Sequence, residues 1–365
     1  MNEVELTQEL IRINSENPPG NERGVARFIR DFLEGLKIPA EMIEFEKNRF
    51  DVVASVGSGR GIMLNGHMDT VPVGNNWKHD PFGGNVVNGK LYGRGASDMK
   101  GGIASILAAV QNLSKEKFKG KLLLTFVADE EANQKGSEYL IKNRRDIFKG
   151  IGYGVMADSN DMQITTAQKG IVQIVVGFRG KAAHASTPEL GDNAIYKAAE
   201  FVLEIRKLMS NLGKTRNPVM GSGTASVGTI KGGIKVNVVP DFCNVEVDRR
   251  TIPGETLDYA INQIKEILKR LKLKADVQIK TSRMPMQIGE NSEMVTLLKK
   301  ISKAKTSSSP GYMETEMYFK ELGIPCVDIG PGLDRQAHVA DEYVPIKNLQ
   351  KATNIYEKLI RRVCL

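Results

Sequence analysis

Apolar positions along this chain follow two rhythms. After the break at Pro18-Pro19-Gly20, Val25, Phe28, Ile29, Phe32 and Leu33 recur at helical spacing and predict an early helix. Short, near-continuous apolar runs then predict buried strands at 51–56, 61–65, 121–128, 151–156 and 325–329. Residues 84–90 (GNVVNGK) look like a phosphate loop, but Leu91 stands where a hydroxyl is required. Asn88-Gly89 instead predicts a tight hairpin. The glycine-rich stretch 93–102 opens a helix over 103–113, and Asp98 occupies the third glycine position of a dinucleotide fingerprint. A carboxylate therefore sits where a nucleotide-binding turn needs bare backbone.

The middle of the chain has a different order. A strand is expected at 171–178, then a helix marked by Ile195, Ala198, Val202, Ile205 and Met209. Strands at 224–230 and 242–249 follow, then a helix carrying Leu257, Ile261, Ile264, Leu268 and Leu271, then a strand at 275–279. That βαββαβ order is the ferredoxin-like split unit. The expected architecture is α/β: a catalytic domain with a mixed sheet flanked by helices, over 1–167 and 284–365, interrupted by an inserted ferredoxin-like domain at 168–283.

Polar chemistry gathers where strands end. His67 and Asp69 follow the run at 61–65, Asp129-Glu130-Glu131 the run at 121–128, and Asp158 the run at 151–156. His338 comes after the run at 325–329 and Gly330-Pro331-Gly332. The C-terminal rim of an open α/β sheet is where sites are built. A lone H-x-D or a capping aspartate is commonplace; five such groups on one rim are not. The chain has only four histidines, at 67, 79, 184 and 338. His67, Asp98, Glu131, Asp158 and His338 supply two imidazoles and three carboxylates, a donor set for zinc, cobalt or manganese. With Asp98 bridging, two divalent ions each receive one histidine, one terminal carboxylate and a shared oxygen. Glu130 is then free to act as general base, and Asp69 to orient the His67 imidazole. Rival machinery is missing: no G-x-S-x-G, no H-E-x-x-H and no complete P-loop.

Composition narrows the setting. A chain of 365 residues, 41% hydrophobic and 26% charged, is an ordinary globular chain long enough for two domains. Residues 1–19 lack a signal-peptide pattern, and the longest apolar stretch, 103–110, is too short to span a bilayer. Cys243, Cys326 and Cys364 have no paired spacing and read as reduced thiols of a cytoplasmic protein. The net charge of +8 raises the question of nucleic acid. Lys265, Lys269, Arg270, Lys272 and Lys274, however, form the polar side of an amphipathic helix with no aromatic ladder. Neither a nucleic-acid partner nor a membrane is expected.

Five ordered stretches carry a family resemblance: HMDTVPVG, GRGASDMKGG, Asp129-Glu130-Glu131 followed by Gly136-Ser137, AHASTPELGDNAI, and AHVADEYVP. Together they resemble the dinuclear zinc aminoacylase/carboxypeptidase family, which includes acetylornithine deacetylase and succinyl-diaminopimelate desuccinylase. The resemblance implies a zinc-exopeptidase-like catalytic domain and an insert that makes a homodimer. It implies His67, Asp98 and Asp158 on one metal, Asp98, Glu131 and His338 on the other, and Glu130 as base, with a cis peptide after Asp98. It further implies that His184 stabilises the oxyanion in the partner subunit's site, and that Asn237, Arg249 and Thr315 contact substrate. The activity implied is hydrolysis of N-acyl amino acids; the alternative is exopeptidase action on short peptides. Two departures bear on that choice. Asp158-Ser159-Asn160 stands where the deacylases usually show Glu-Pro-Thr, and Glu314-Thr315-Glu316 replaces the usual Gly-Thr-Asp. His79 reads as structural.

Overall fold

The computed structural model describes Met1–Leu365, and the chain divides into two compact units. The first comprises Met1–Thr166, Ile288–Ser307 and Glu314–Leu365; the second comprises Ala167–Gln287 and Ser308–Met313. No helix is long and apolar enough to cross a membrane.

The first unit opens with α1 (Glu3–Arg12), whose Asn2 cap and Glu5 form a capping box. Next come α2 (Arg23–Gly35), the antiparallel pair β1 (Ala40–Glu46) and β2 (Arg49–Val56), then β3 (Gly61–His67). The hairpin of β4 (Asn85–Val87) and β5 (Lys90–Tyr92) turns at Asn88-Gly89, both with positive φ as a tight primed turn requires. Helix α3 (Lys100–Leu113) leads to β6 (Leu122–Val127), α4 (Lys135–Asn143), β7 (Ile151–Met156) and β8 (Ile164–Gln168).

Every residue of β3 and β6 is buried. That is why both read as unbroken apolar runs rather than alternating ones: strands in a sheet covered on both faces have no polar side. Leu122, Leu123 and Leu124 are each at most 1% exposed, and each contributes roughly 1.5–3 kcal/mol of burial.

The second unit contains β9 (Gly170–Arg179), α5 (Ala194–Leu212), β10 (Thr224–Gly232), β11 (Phe242–Thr251), α6 (Leu257–Arg270) and β12 (Ala275–Arg283). Its sheet is antiparallel in the order β10-β11-β9-β12, the ferredoxin-like arrangement. Val172, Ile174, Val176 and Phe178 of β9 share a core with Cys243, Val245 and Val247 of β11. Phe201 and Ile205 of α5 and Ile264 and Leu268 of α6 close that core. A short strand β13 (Met286–Gln287) pairs with Gln168 and Ala167.

Returning to the first unit, α7 (Glu293–Ser302), β14 (Thr306–Ser309), α8 (Thr315–Leu322), β15 (Cys326–Asp328), β16 (Tyr343–Pro345) and α9 (Ile346–Cys364) complete the chain. The main sheet runs β1-β2-β6-β3-β7-β15-β8, with β3, β6, β7 and β15 parallel. This is a mixed sheet flanked by helices. Helix α3 packs against α1 and α9 and is buried on nearly every side. Gly102 lets it approach so closely that a Cβ there would lie 1.9 Å from the Ala157 carbonyl oxygen. Gly330 does the same on the far side, where a Cβ would meet the Asp158 carbonyl oxygen at 2.0 Å. Both contacts press the chain around Asp158 into place.

Candidate metal centre

Register explains the convergence. In the parallel pairs, His67 stands beside Val127, Asn65 beside Met156, and Met156 beside Asp328. Strands β3, β6 and β7 therefore end level with one another, and the residues that follow them emerge on one rim. His67, Asp98 and Asp158 bring ligand atoms within 4.8 Å of one another, and so do Asp98, Glu131 and His338. Asp98 belongs to both groups. Its Oδ1 lies 3.0 Å from His67 Nε2 and its Oδ2 lies 3.3 Å from His338 Nε2. Each carboxylate oxygen thus faces a different imidazole. His338 Nε2 is also 3.0 Å from Glu131 Oε2. The peptide between Asp98 and Met99 is cis.

Electrostatics follow from this crowding. Burial raises the Asp158 carboxyl, and Asp98 nearby adds to it, pushing it up to about 8 despite the opposing effect of His67. Glu130 is raised well above its usual range by burial, with Glu314, Glu131 and Asp158 adding to the shift against His67. Burial would raise Asp98 too, but the bonds from His338 and His67 outweigh it and hold that carboxyl well below the usual range. His338 is pushed up to about 10 by its bonds to Asp98 and Glu131. Acids outnumber imidazoles, and a buried excess of negative charge is costly unless cations share it.

The donor set fits divalent ions. Glu131 Oε1 is buried with no hydrogen-bond partner, an acceptor aimed at nothing in the protein. His67 Nδ1 lies 2.9 Å from the backbone oxygen of Asp69 and donates to it, so a cation taking the place of the proton between Nε2 and Asp98 would meet the Nε2 lone pair. Imidazole and carboxylate without thiolate suit zinc, cobalt or manganese.

Two sequence expectations need correcting. The Asp69 carboxylate does not orient His67: it is 3.8 Å from Nδ1, and the Asp69 carbonyl makes that contact. The carboxylate instead accepts from Glu130 N at 3.2 Å, Glu131 N at 3.1 Å and Asn17 Nδ2 at 2.9 Å. It holds the turn that carries Glu130 and Glu131. Asn17 Nδ2 also donates to Asp129 at 3.0 Å, and Arg49 donates to the same oxygen at 2.8 Å. Nothing in the sequence singles out Asn17 or Arg49, because a buried polar network between distant segments leaves no periodicity.

Arg249 is the second correction. It is 0% exposed in the second unit, donating to Gln263 at 3.1 Å, to Glu255 at 2.9 Å and to the Arg250 carbonyl. Its guanidinium is buried and bonded to three partners within its own unit, which keeps it from a substrate carboxylate. The signal was available: along β11, Cys243, Val245 and Val247 share its parity and face the core. Arg250, one residue on, turns the other way; its side chain is 27% exposed and pairs with Asp248 at 2.7 Å.

The remaining site candidates are scattered. His184 and Asn237 sit together on the second unit: His184 bridges to Val238, and Ala185 N donates to the Asn237 carbonyl at 3.1 Å. Both are exposed. Thr315, the first residue of α8, is fully buried with Glu314 and Glu316 beside it, so no substrate contact is assigned to it. His79 stacks on Tyr92 at 4.2 Å between ring centres, and its backbone N–H donates to Asp341, a structural role.

The sequence profile of Peptidase family M20/M25/M40 matches residues 63–362. The chain belongs to this family. A probable succinyl-diaminopimelate desuccinylase of Staphylococcus aureus is 28% identical, with 97% of each chain covered. An acetylornithine deacetylase of Proteus mirabilis is 29% identical, covering 99% of this chain and 97% of its own. Among solved structures, an M20 family metallo-carboxypeptidase from Sulfolobus solfataricus superposes with a TM-score of 0.81 at 20% identity over 98% of both chains. A tripeptidase from Staphylococcus aureus gives 0.81 at 23% identity, again over 98% of both. The M20/M25/M40 fold accounts for both units of the chain, including the four-stranded sheet within its middle segment.

Proposed function

We propose that the protein is a metal-dependent hydrolase that cleaves the amide bond of N-acyl amino acids. The observation that carries this reading is Asp98, which turns one oxygen toward each of two imidazoles in a buried acidic cluster. His67, Asp98 and Asp158 would hold one divalent ion, and Asp98, Glu131 and His338 the other. Zinc is the leading occupant, with cobalt or manganese as alternatives. When bound, such a pair would lower the pKa of water and stabilise the negative charge that develops on the carbonyl oxygen. Glu130 takes a proton from the attacking water as the C–O bond forms, then returns it to the departing nitrogen as the C–N bond breaks. Asp69, holding the Glu130 and Glu131 amides, keeps that carboxylate aimed.

The second unit is assigned the role of an inserted dimerisation domain, roughly residues 168–283. Strand β10 is the sheet's edge, with Ser226, Gly228 and Ile230 exposed along it. Tyr196 on α5 is 70% exposed, and Ile234 and Val236 beyond β10 are 90% and 96% exposed. Large apolar side chains bare to this degree suit a second copy of the chain. In that dimer His184 and Asn237 serve the partner's site, His184 as oxyanion donor, and Arg250 rather than Arg249 meets the substrate carboxylate. Three buried free cysteines suit a reducing, cytoplasmic setting.

A second reading, exopeptidase action on short peptides with the same residues, is favoured by Asp158 in place of the deacylases' glutamate. The experiment is metal analysis followed by kcat/KM on acetyl- and succinyl-amino acids beside a dipeptide panel. The leading reading expects two ions per chain and the higher kcat/KM on acylated amino acids. Higher values on dipeptides establish the second reading, and no metal-dependent turnover on either set removes both.

A further inference from the structure

We infer that Arg94 and Glu342 form a positioning pair that sets the His338-side metal position, an inference that rests on the proposed function above. Neither side chain bonds a ligand side chain, yet both lie within ligand-bearing motifs. Glu342 follows His338 by four positions, and Arg94 precedes Asp98 by four.

The Glu342 carboxylate is 0% exposed and saturated with donors. One oxygen accepts from Arg94 at 2.7 Å and from Gly95 N at 3.1 Å. The other accepts from Ser97 N at 2.7 Å and from Asp98 N at 3.0 Å. The amide of the shared ligand is thus bonded directly to Glu342, and Gly93 N donates to the Glu342 carbonyl at 2.9 Å. This carboxylate folds the 93–98 loop around itself.

Arg94 extends the arrangement to the other two histidine segments. Its NH1 donates to the Val339 carbonyl at 3.2 Å, immediately after His338. Its NH2 donates to the Pro72 carbonyl at 3.2 Å and the Val73 carbonyl at 3.4 Å, just beyond the His67–Asp69 exit. The guanidinium lies 5.1 Å from the Trp77 ring centre. A fork with several donors in one plane is needed to span three segments, which an ammonium cannot do.

The two metal positions differ in what supports them. His67 ends β3 and Asp158 lies two residues beyond β7, where its amide also donates to Asp328 at 3.0 Å. His338 sits in a loop with positive φ and a side chain 53% exposed, and that loop is tied down by the Arg94 bond to the Val339 carbonyl and by buried Glu342. Loss of the pair should therefore release the His338 side first.

The test uses the full-length protein, stripped with chelator and titrated with Zn²⁺ by calorimetry, with the visible spectrum of the Co²⁺ form as a second readout. Glu342→Gln should weaken one of two binding steps about 10- to 100-fold, the range for lost outer partners of metal ligands. The other step, which shares Asp98 but keeps His67 and Asp158, should weaken less, and the Co²⁺ spectrum should change most in the second equivalent. If Glu342→Gln does not fold, Arg94→Lys decides, since it keeps the charge beside Glu342 but cannot reach Val339, Pro72 and Val73 together. Two unchanged steps overturn the inference. So does equal weakening of both steps alongside a lower melting temperature of the metal-free protein, which marks a purely structural role. Wild-type protein that binds no cation pair overturns the proposed function and this inference with it.

Discussion

The acidic cluster of the first unit and the His184–Asn237 surface of the second are built in opposite ways. In the cluster, every charged group but His338 is largely enclosed, and several are held by backbone: His67 by the Asp69 carbonyl, Glu130 and Glu131 through their amides on Asp69, Asp98 through its amide on Glu342. On the second unit, His184 is exposed, its Nδ1 meets only Ser186, and Asn237 sits in a segment whose apolar neighbours Ile234 and Val236 are bare. One region is complete within a single chain apart from cations; the other presents groups with nothing to act on. Under the proposed function, the contrast separates the chemistry from its electrophilic assistance along the chain, and a dimer would reunite them.

The largest expected effect tests the enclosed half. Glu130→Gln removes the proton acceptor but keeps shape, and the turn's amides still bind Asp69. Turnover should fall by about 10²–10⁴, the range for general bases, while metal content stays at wild-type level by mass spectrometry. Activity within a factor of a few would show that Glu130 is a bystander and dissolve the contrast.

The exposed half predicts a loss that can be repaired in trans. His184→Ala should lower kcat by about 10²–10³, as for other oxyanion donors, with metal content unchanged. Mixing it with Glu130→Gln and allowing subunits to exchange should restore about a quarter of wild-type activity, because half the two-fold dimers then own one intact site. A mixture no more active than its components would place His184 within its own chain's site or outside the chemistry.

The same contrast shows what could be read from the residues alone. His67, Glu131, Asp158 and His338 were legible because buried parallel strands leave a plain mark, an apolar run followed by an acid or histidine, and Asp98 because a carboxylate interrupts a glycine-rich turn. Arg249 was misread because a strand's alternation is subtler than a motif. Counting by twos from Val245 puts it in the core, where it bonds Glu255. Asp69 was misread because spacing says which residues are near one another but not whether carbonyl or carboxylate makes the contact. Arg94 and Glu342 lay inside recognised stretches, but a buried ion pair has no periodicity to betray it. The βαββαβ order, being a matter of long amphipathic elements, came through intact.

Arg249 turns that lesson into a stability experiment on the second unit. Arg249→Met leaves Glu255 without its buried partner, a loss of about 3–5 kcal/mol for broken pairs of this kind. A urea titration followed by a probe in the second unit should show it. A variant as stable as wild type but with a raised KM would restore Arg249 as a substrate contact and overturn the assignment to Arg250.

The smallest effect sharpens the comparison without touching the site, because each unit carries its own buried thiol. Cys326 lies in β15 of the first unit and Cys243 in β11 of the second, both 0% exposed, and burial raises both thiols above their ordinary range. A raised folded-state pKa keeps the native thiol protonated, so labelling by a disulfide reagent proceeds through opened molecules. It should rise about tenfold per pH unit below the free-thiol value near 8.5. The sign for stability follows: any contribution from these thiols is present below about 8.5 and is lost as pH climbs toward the folded value. Divalent zinc at about 100 times its dissociation constant stabilises the structure that binds it by about 2.7 kcal/mol. Cys326 labelling should then slow about a hundredfold while Cys243 labelling holds steady. Equal slowing at both cysteines would mean that the two units open as one, and that the closed region and the exposed one are a single cooperative body.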